Sequence, residues 1–275
     1  MKKKNIILLG TAIILLIGGS VLGLNSYFGA GGKIPEDTFT RGLVAYWSFD
    51  EGTGNTVYDL SGNGNHGTIH GATWTQGKFG KALSFDGVDD YVDCGNDESL
   101  NITDEITIEA WVKRAGDFPT NNIGNIVWRH NYGARTGYRL FAYTNGRVRF
   151  AVGNGSNIYY AGTGYPLSTI GEWVHVVGVF DGSYVKLYIN GQFNDEVQFS
   201  GSFVEADCNL LISQGAETFN GTIDEVRIYN RALSEEEIRY HYNHGRPLAH
   251  WRFDEGSGTT IYDSSGHGYH GILHE

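Results

Sequence analysis

From Gly42 onward the chain is written in short runs where β-branched and aromatic residues alternate with polar ones. A period of two over four to eight residues puts one set of side chains on each face of a strand. The runs are 43–49, 82–85, 91–94, 106–112, 126–128, 138–143, 147–152, 173–180, 185–189, 210–212 and 223–229. Asn145-Gly146, Asp181-Gly182 and Asn190-Gly191 break them, and these residue types tolerate the positive φ of tight hairpins. Many strands joined by short polar turns predict two antiparallel sheets packed as a β-sandwich, a jelly roll. With 6 Trp, 17 Tyr and 14 Phe the chain has the apolar bulk for such a core.

One short helix interrupts the pattern near residues 235–244. Ser234 with Glu237 three residues on makes a capping box, and Ile238 and Tyr242 share a helix face. Gly245 and Pro247 end it.

The N-terminus follows a different rule. Lys2, Lys3 and Lys4 precede a charge-free run from Asn5 to Leu24. Twenty residues of helix span about 30 Å, the thickness of a bilayer core. The lysines place the N-terminus inside and the rest of the chain outside. Residues 1–24 are therefore expected to be a transmembrane signal anchor, with a cleaved signal as the alternative. Residues 25–42, which include Gly29-Ala-Gly-Gly32, read as a linker.

Residues 44–70 return at 248–274 with 16 of 27 identical and a constant offset of 204. That repeat bounds a first domain at 43–246 and leaves 247–275 as a partial second copy, one strand and one loop. Alone it is too small to bury a core. It reads either as part of a further domain or as a strand added to the sheet edge of a neighbouring molecule, which would build oligomers or filaments.

Twenty basic residues against 31 acidic ones give a formal net charge of −11. A nucleic-acid partner is excluded on that balance, since phosphate binding needs clustered cations. Two cysteines, Cys94 and Cys208, exclude a disulfide scaffold and allow either one bridge or two thiols. Strands 106–112 and 223–229 lack the alternating carboxylates of sandwich glycosidases, and no nucleophile turn or phosphate loop is present. The chain reads as a non-enzyme.

Taken together, Val44–Asp50, Asp59–Gly67, Ala82–Val92, Ile106–Val112, Trp173–Val177, Val185–Gly191 and Ile223–Ser234 resemble the LamG-like branch of the laminin-G, concanavalin A-like lectin/glucanase jelly rolls, in the family's order. The resemblance implies a concanavalin A-like sandwich that often holds a structural calcium. Asp59, Ser61, Asn63 and Asn65 place oxygen side chains at alternate positions, as a loop around Ca²⁺ would, although such residues also simply make turns. Asp50 precedes the loop. If the first and last strands pair, as this fold allows, Asp224 comes near it. The expected ligands are thus Asp50, Asp59, Asn63, Asn65 and Asp224. Asp86-Gly-Val-Asp-Asp90 reads as a turn. Flat rings with planar polar neighbours suit sugars, which nominates Trp128, Arg129, His130, Tyr132 and Tyr160. The expectation is an extracellular, membrane-anchored module that binds a glycan or a cell-surface protein. Its alternative is a structural subunit assembling through 247–275.

Overall fold

The computed structural model describes residues 5–7, 40–214, 217–243, 258–262 and 270–274. The described strands are β1 (Asn5–Ile7), β2 (Leu43–Trp47), β3 (Thr56–Val57), β4 (Gly67–His70), β5 (Thr73–Gln76), β6 (Lys81–Asp86), β7 (Tyr91–Asp93), β8 (Ile106–Arg114), β9 (Ile123–Asn131) and β10 (Thr136–Tyr143). They continue with β11 (Val148–Gly153), β12 (Ile158–Ala161), β13 (Trp173–Phe180), β14 (Tyr184–Ile189), β15 (Gln192–Gln198), β16 (Leu211–Ile212), β17 (Asn220–Tyr229), β18 (Thr260–Ile261) and β19 (Gly271–His274). Helix α1 spans Glu235–Tyr242.

Gly42–Tyr242 form one compact body of two antiparallel sheets. The first sheet runs β15-β14-β13-β8-β17-β6-β5, with β2 sharing the far edge of β17. The second runs β12-β11-β10-β9-β16-β7-β4-β3. Alternation sorts each strand between faces. Ile106, Ile108, Ala110 and Val112 of β8 enter the core between the sheets, as do Leu140, Ala142, Val148, Phe150 and Val152 of β10 and β11. Gly178 is on the inward side of β13, where a Cβ would run into the Phe150 ring of the opposite sheet. The hairpins form as expected: Gly146 has φ +88°, and Asn190 and Gly191 both have positive φ, as a two-residue hairpin turn requires.

A second, smaller core lies on the outer face of the first sheet. Val177, Val179, Tyr188 and Tyr229 pack there against Leu233 and Ile238. The capping box forms: Ser234 N–H donates to Glu237 Oε2 at 2.8 Å, and Glu237 N–H to Ser234 Oγ at 3.3 Å. Glu109, fully buried on β8, joins this layer together. Its carboxylate meets Arg227 Nη1 at 3.0 Å, His241 Nδ1 at 2.9 Å and His175 Nε2 at 3.6 Å. Burial alone would raise its pKa, but His241, His175 and Arg227 hold it well below the usual carboxylate range.

Residues 1–41 and 243–275 form a separate unit. Its described strands make one antiparallel sheet in the order β1-β19-β18. Thr260 pairs with Ile272 and Ile261 with Gly271, as Thr56 pairs with Thr68 and Val57 with Gly67 in the body. Every position is shifted by 204, so the repeated sequence repeats its hairpin register. The body gives the other edge of β4 to β7; here β1 takes the equivalent edge of β19.

One expectation changes. In the proposed membrane segment, residues 5–7 are a strand rather than the start of a helix, and 8–24 lie outside the described residues. Among the described residues no helix is long and apolar enough to cross a membrane. The repeated positions Asp254, Asp263, His267 and Tyr269 also lie outside the described residues.

Gly178→Ala should overpack the contact with Phe150. Overpacking costs about 1–3 kcal/mol, so thermal denaturation should show a melting temperature several degrees lower. An unchanged value would mean the sheets are not in close contact there.

Candidate functional site

The outer face of the second sheet is unlike that of the first, because no helix covers it among the described residues. With Tyr138, Leu140 and Ala142 turned inward, β10 presents Arg139, Phe141 and Tyr143 outward. β11 and the turn before it likewise present Arg147, Arg149 and Ala151. The register then builds a row across four strands. Trp128 of β9 pairs with Arg139, Arg139 with Ala151, and Ala151 with Tyr160 of β12. Leu211 of β16 continues the row on the other side of Trp128. Ala151 is the smallest side chain in it and is fully buried between Arg139 and Tyr160.

Rings and guanidiniums interleave on this face. The Arg139 guanidinium sits 3.8 Å from the Phe141 ring centre and 4.6 Å from that of Tyr132. Arg149 lies 5.6 Å from the Tyr160 ring centre and Arg147 5.5 Å from that of Tyr165. His130 packs edge-on to Tyr132, with centroids 4.8 Å apart. Glu217 closes one end: it accepts from Tyr132 Oη at 2.9 Å and Asn125 Nδ2 at 3.3 Å, and pairs with Arg139 at 3.4 Å. Several buried nitrogens here have no hydrogen-bond partner, namely Trp128 Nε1, both His130 ring nitrogens, and Nε of Arg139, Arg147 and Arg149. Buried polar groups are normally paired; these nitrogens lie beneath the surface, and the groups the face exposes are the half-buried Trp128, Tyr143, Arg147, Arg149 and Tyr160 with the exposed Tyr132.

Four of the five nominated ligand residues, Trp128, His130, Tyr132 and Tyr160, belong to this face. Arg129 does not, and that expectation is corrected. One step along the strand from Trp128, it turns to the other side and is 1% exposed. Its Nε donates to the Cys208 carbonyl at 3.1 Å, and its guanidinium also holds Leu100 O, Asn96 Oδ1 and Asn101 Oδ1. It ties loops together. Cys94 and Cys208 are both free thiols, buried and half-buried, and burial raises both pKa values. The residues that the nomination lacked are Arg139, Phe141, Tyr143, Arg147 and Arg149. Their outward alternation across the Asn145-Gly146 hairpin was the available signal.

The five expected calcium ligands fall into two groups. Asp59, Asn63 and Asn65 form a closed knot at β2. Asp59 Oδ1 accepts from Tyr46 N and Ser61 N, and Oδ2 from Ser61 Oγ and Asn65 N, at 2.8–3.0 Å. Four donors meet the roughly four lone-pair sites of a carboxylate. The amide nitrogens of Asn63 and Asn65 donate to the Val44 carbonyl. β2 and β17 do pair, as the resemblance implied. Asp224 nevertheless turns to a different loop, where its Oδ2 accepts from Lys78 N at 2.8 Å and Phe79 N at 3.1 Å. Asp50 Oδ1 caps the same turn through Lys81 N at 2.8 Å. The one buried oxygen of this set without a partner is Asp224 Oδ1, and burial pushes that carboxyl up to about 7. A single free oxygen does not fit the six to eight that Ca²⁺ takes. Elsewhere, Asp86, Asp89 and Asp90 bring carboxylate oxygens within 4.8 Å of one another. There Asp90 Oδ2 accepts from Asp86 N and Asp86 Oδ1 from Val88 N, as in a turn.

His130 supplies a pH test. Burial first, then the charge of Arg139, pushes it down to about 4. The unfolded chain therefore takes up a proton before the folded one does, and stability is lost as pH falls from about 6.5 toward 4. His130→Gln should remove on the order of 2–3 kcal/mol of that loss, measured as the difference in urea unfolding between pH 7 and 4.5. An unchanged pH slope would show the ring to be solvated.

The sequence model of Laminin_G_3, the concanavalin A-like lectin/glucanases superfamily, matches residues 86–239, more than half of the chain. Among curated proteins no sequence matches significantly. Solved structures of similar fold include the binding domain of Paraclostridial Mosquitocidal Protein 1, with 20% identity and a TM-score of 0.61 over 76% of this chain and 56% of that one. The botulinum neurotoxin serotype D binding domain gives 16% and 0.61, over 80% and 56%. Domain 4 of AbnA, a GH43 extracellular arabinanase from Geobacillus stearothermophilus solved with arabinotriose, gives 24% and 0.55, over 72% and 96%. The chain thus spans little more than half the length of the toxin binding domains. At these identities the likeness is one of fold. By its sequence match, the chain belongs to the concanavalin A-like lectin/glucanases superfamily.

Proposed function

We propose that the chain is a non-catalytic glycan-binding module acting outside the cell. The row Trp128–Arg139–Ala151–Tyr160, with a partly exposed ring at each end, carries this reading. Rings offer faces to the apolar side of a pyranose, and the partly exposed Arg147 and Arg149 beside them offer donors to its hydroxyls. Between Trp128 and Tyr160 the described face carries one carboxylate, Glu217, which Tyr132, Asn125 and Arg139 already hold. Glycoside hydrolysis uses two carboxyl groups placed across the scissile bond. The arabinanase domain solved with arabinotriose supports a sugar as the ligand class, as does a botulinum neurotoxin whose cell entry depends on two ganglioside molecules.

A glycan array followed by calorimetry tests this. Trp128→Ala and Tyr160→Ala should each weaken binding roughly tenfold to a hundredfold, about 1.4–2.8 kcal/mol, with the melting temperature unchanged. Arg129→Ala should instead lower the melting temperature, because it unties Leu100, Asn96, Asn101 and Cys208. Full binding by Trp128→Ala would move the site elsewhere.

Calcium is a separate proposal. The knot around Asp59 is complete without an ion, so chelation is expected to leave the melting temperature unchanged. A chelator-dependent fall would restore the calcium reading.

A second reading has its own observation, the strand pairing in the unit of residues 1–41 and 243–275. β19 repeats the register of β4 and accepts β1 where β4 accepts β7. An edge that takes a strand from a distant part of the sequence also fits one from a second copy. Light scattering on the full chain and on one ending at Arg246 separates the two. Multimers formed only by the longer chain would favour assembly.

A further inference from the structure

We infer that the ligand of this face is an acidic oligosaccharide, whose sugar units carry carboxylates. The inference rests on the glycan reading above and goes beyond it to the charge of the sugar.

The chain as a whole is acidic, with 31 acidic residues against 20 basic ones. The outer face of β10 and β11 reverses that sign, with three arginines on two adjacent strands. Their surroundings differ. Arg139 is spoken for: it pairs with Glu217, also contacts the Tyr132 hydroxyl, and is 3% exposed. Burial, the first cause, lowers its pKa, while Tyr160 and Glu217 act in the opposite direction. It positions the Phe141 and Tyr132 rings. Arg147 and Arg149 are partly exposed, and neither has a carboxylate partner among the described residues. Their Nε atoms make no hydrogen bond either. What holds them is aromatic: Tyr165 under one, Tyr160 under the other.

A guanidinium laid against a ring keeps its edge open. That edge is a planar fork of donors, and a carboxylate matches it with two parallel N–H···O bonds. Arg147, just before β11, and Arg149 on it are two residues apart and face the same side, one beside Tyr165 and the other beside Tyr160. Phe141 lies opposite Arg149, and Ala151, two residues on, pairs with Tyr160. A sugar ring stacked on Tyr160 therefore has a guanidinium at its edge. Apart from Glu217, which Arg139 neutralises, the face turns acidic beyond Leu211, at Asp93 of β7, where Asn209 Nδ2 holds that carboxylate at 3.0 Å. An anionic chain is thereby confined to the β10–β12 half.

The probe is a short oligogalacturonate, its methyl ester as the uncharged control, and a sulfated oligosaccharide of the same length. All are titrated into the full chain at low and at physiological salt. The acid form should bind at least tenfold tighter than its ester at low salt, with the gap shrinking as salt screens the charges. Arg149→Gln and Arg147→Gln should each cut that gap severalfold with the melting temperature unchanged. Trp128→Ala should weaken acid and ester alike. Equal affinity for acid and ester, or a gap that survives both arginine variants, would overturn the inference while leaving the glycan reading in place. Tighter binding of the sulfated chain than of the carboxylated one would overturn the choice of carboxylate. Failure of all three sugars to bind would overturn the inference together with the glycan reading beneath it.

Discussion

A carboxylate with no access to water holds one side of this sandwich together. Glu109 sits mid-way along β8, and its partners come from β17, β13 and α1. A lone charge there would be expensive, and removing one partner of such a buried group costs about 3–5 kcal/mol. Arg227 repays it while bridging to Glu225, whose oxygens in turn accept from the Tyr46 hydroxyl of β2. The network thus reaches from the first strand of the body to its last helix. With Tyr229, Val177 and Ile238 packed beside it, the outer face of the first sheet is occupied by structure. The opposite sheet has no comparable cover among the described residues, and its outer face is where the arginines and rings gather. The two faces divide the work between stability and contact.

The central strands were legible in the sequence because both of their faces have definite partners. β13 falls on the expected residues 173–180, and β8, β10 and β17 extend their runs by only two or three residues. Among the short and edge strands β2, β7 and β16 were legible, and β3, β5, β12 and β15 were not. β15 carries Asn194, Asp195 and Glu196 on a largely solvated ladder, so its hydrophobic pattern is weak and its register comes from the Asn190-Gly191 turn. β3 and β5 are similarly short, and only their neighbours define them.

The site was half legible for a related reason. A run of residues such as Trp128 to Tyr132 is contiguous in sequence, but a strand sends alternate members to opposite faces. Trp128 and His130 thus share a surface while Arg129 serves the interior. Period two also linked Arg139, Phe141, Arg147 and Arg149 across a hairpin. The acidic loops were ambiguous for another reason. Asp and Asn are as good at binding backbone N–H groups as at binding ions, and the spacing of Asp59, Asn63 and Asn65 serves the first purpose here. Asp50 and Asp224 depended on tertiary structure: both anchor the turn at Gly77–Lys81, where glycines admit the carboxylates at a closeness that a Cβ would block.

The row from Trp128 to Tyr160 crosses three strand-to-strand steps, about 14 Å. Neighbouring strands in a sheet are rotated by about 20–25° at each step. The backbones beneath the two rings are therefore turned by roughly 60–75° relative to one another. A flat, ribbon-like polymer lying straight across the strands would match one end of the row and lift off at the other. A chain that winds as it advances keeps contact along the whole row, so the twist of the sheet is itself a filter on the helical habit of whatever lies there.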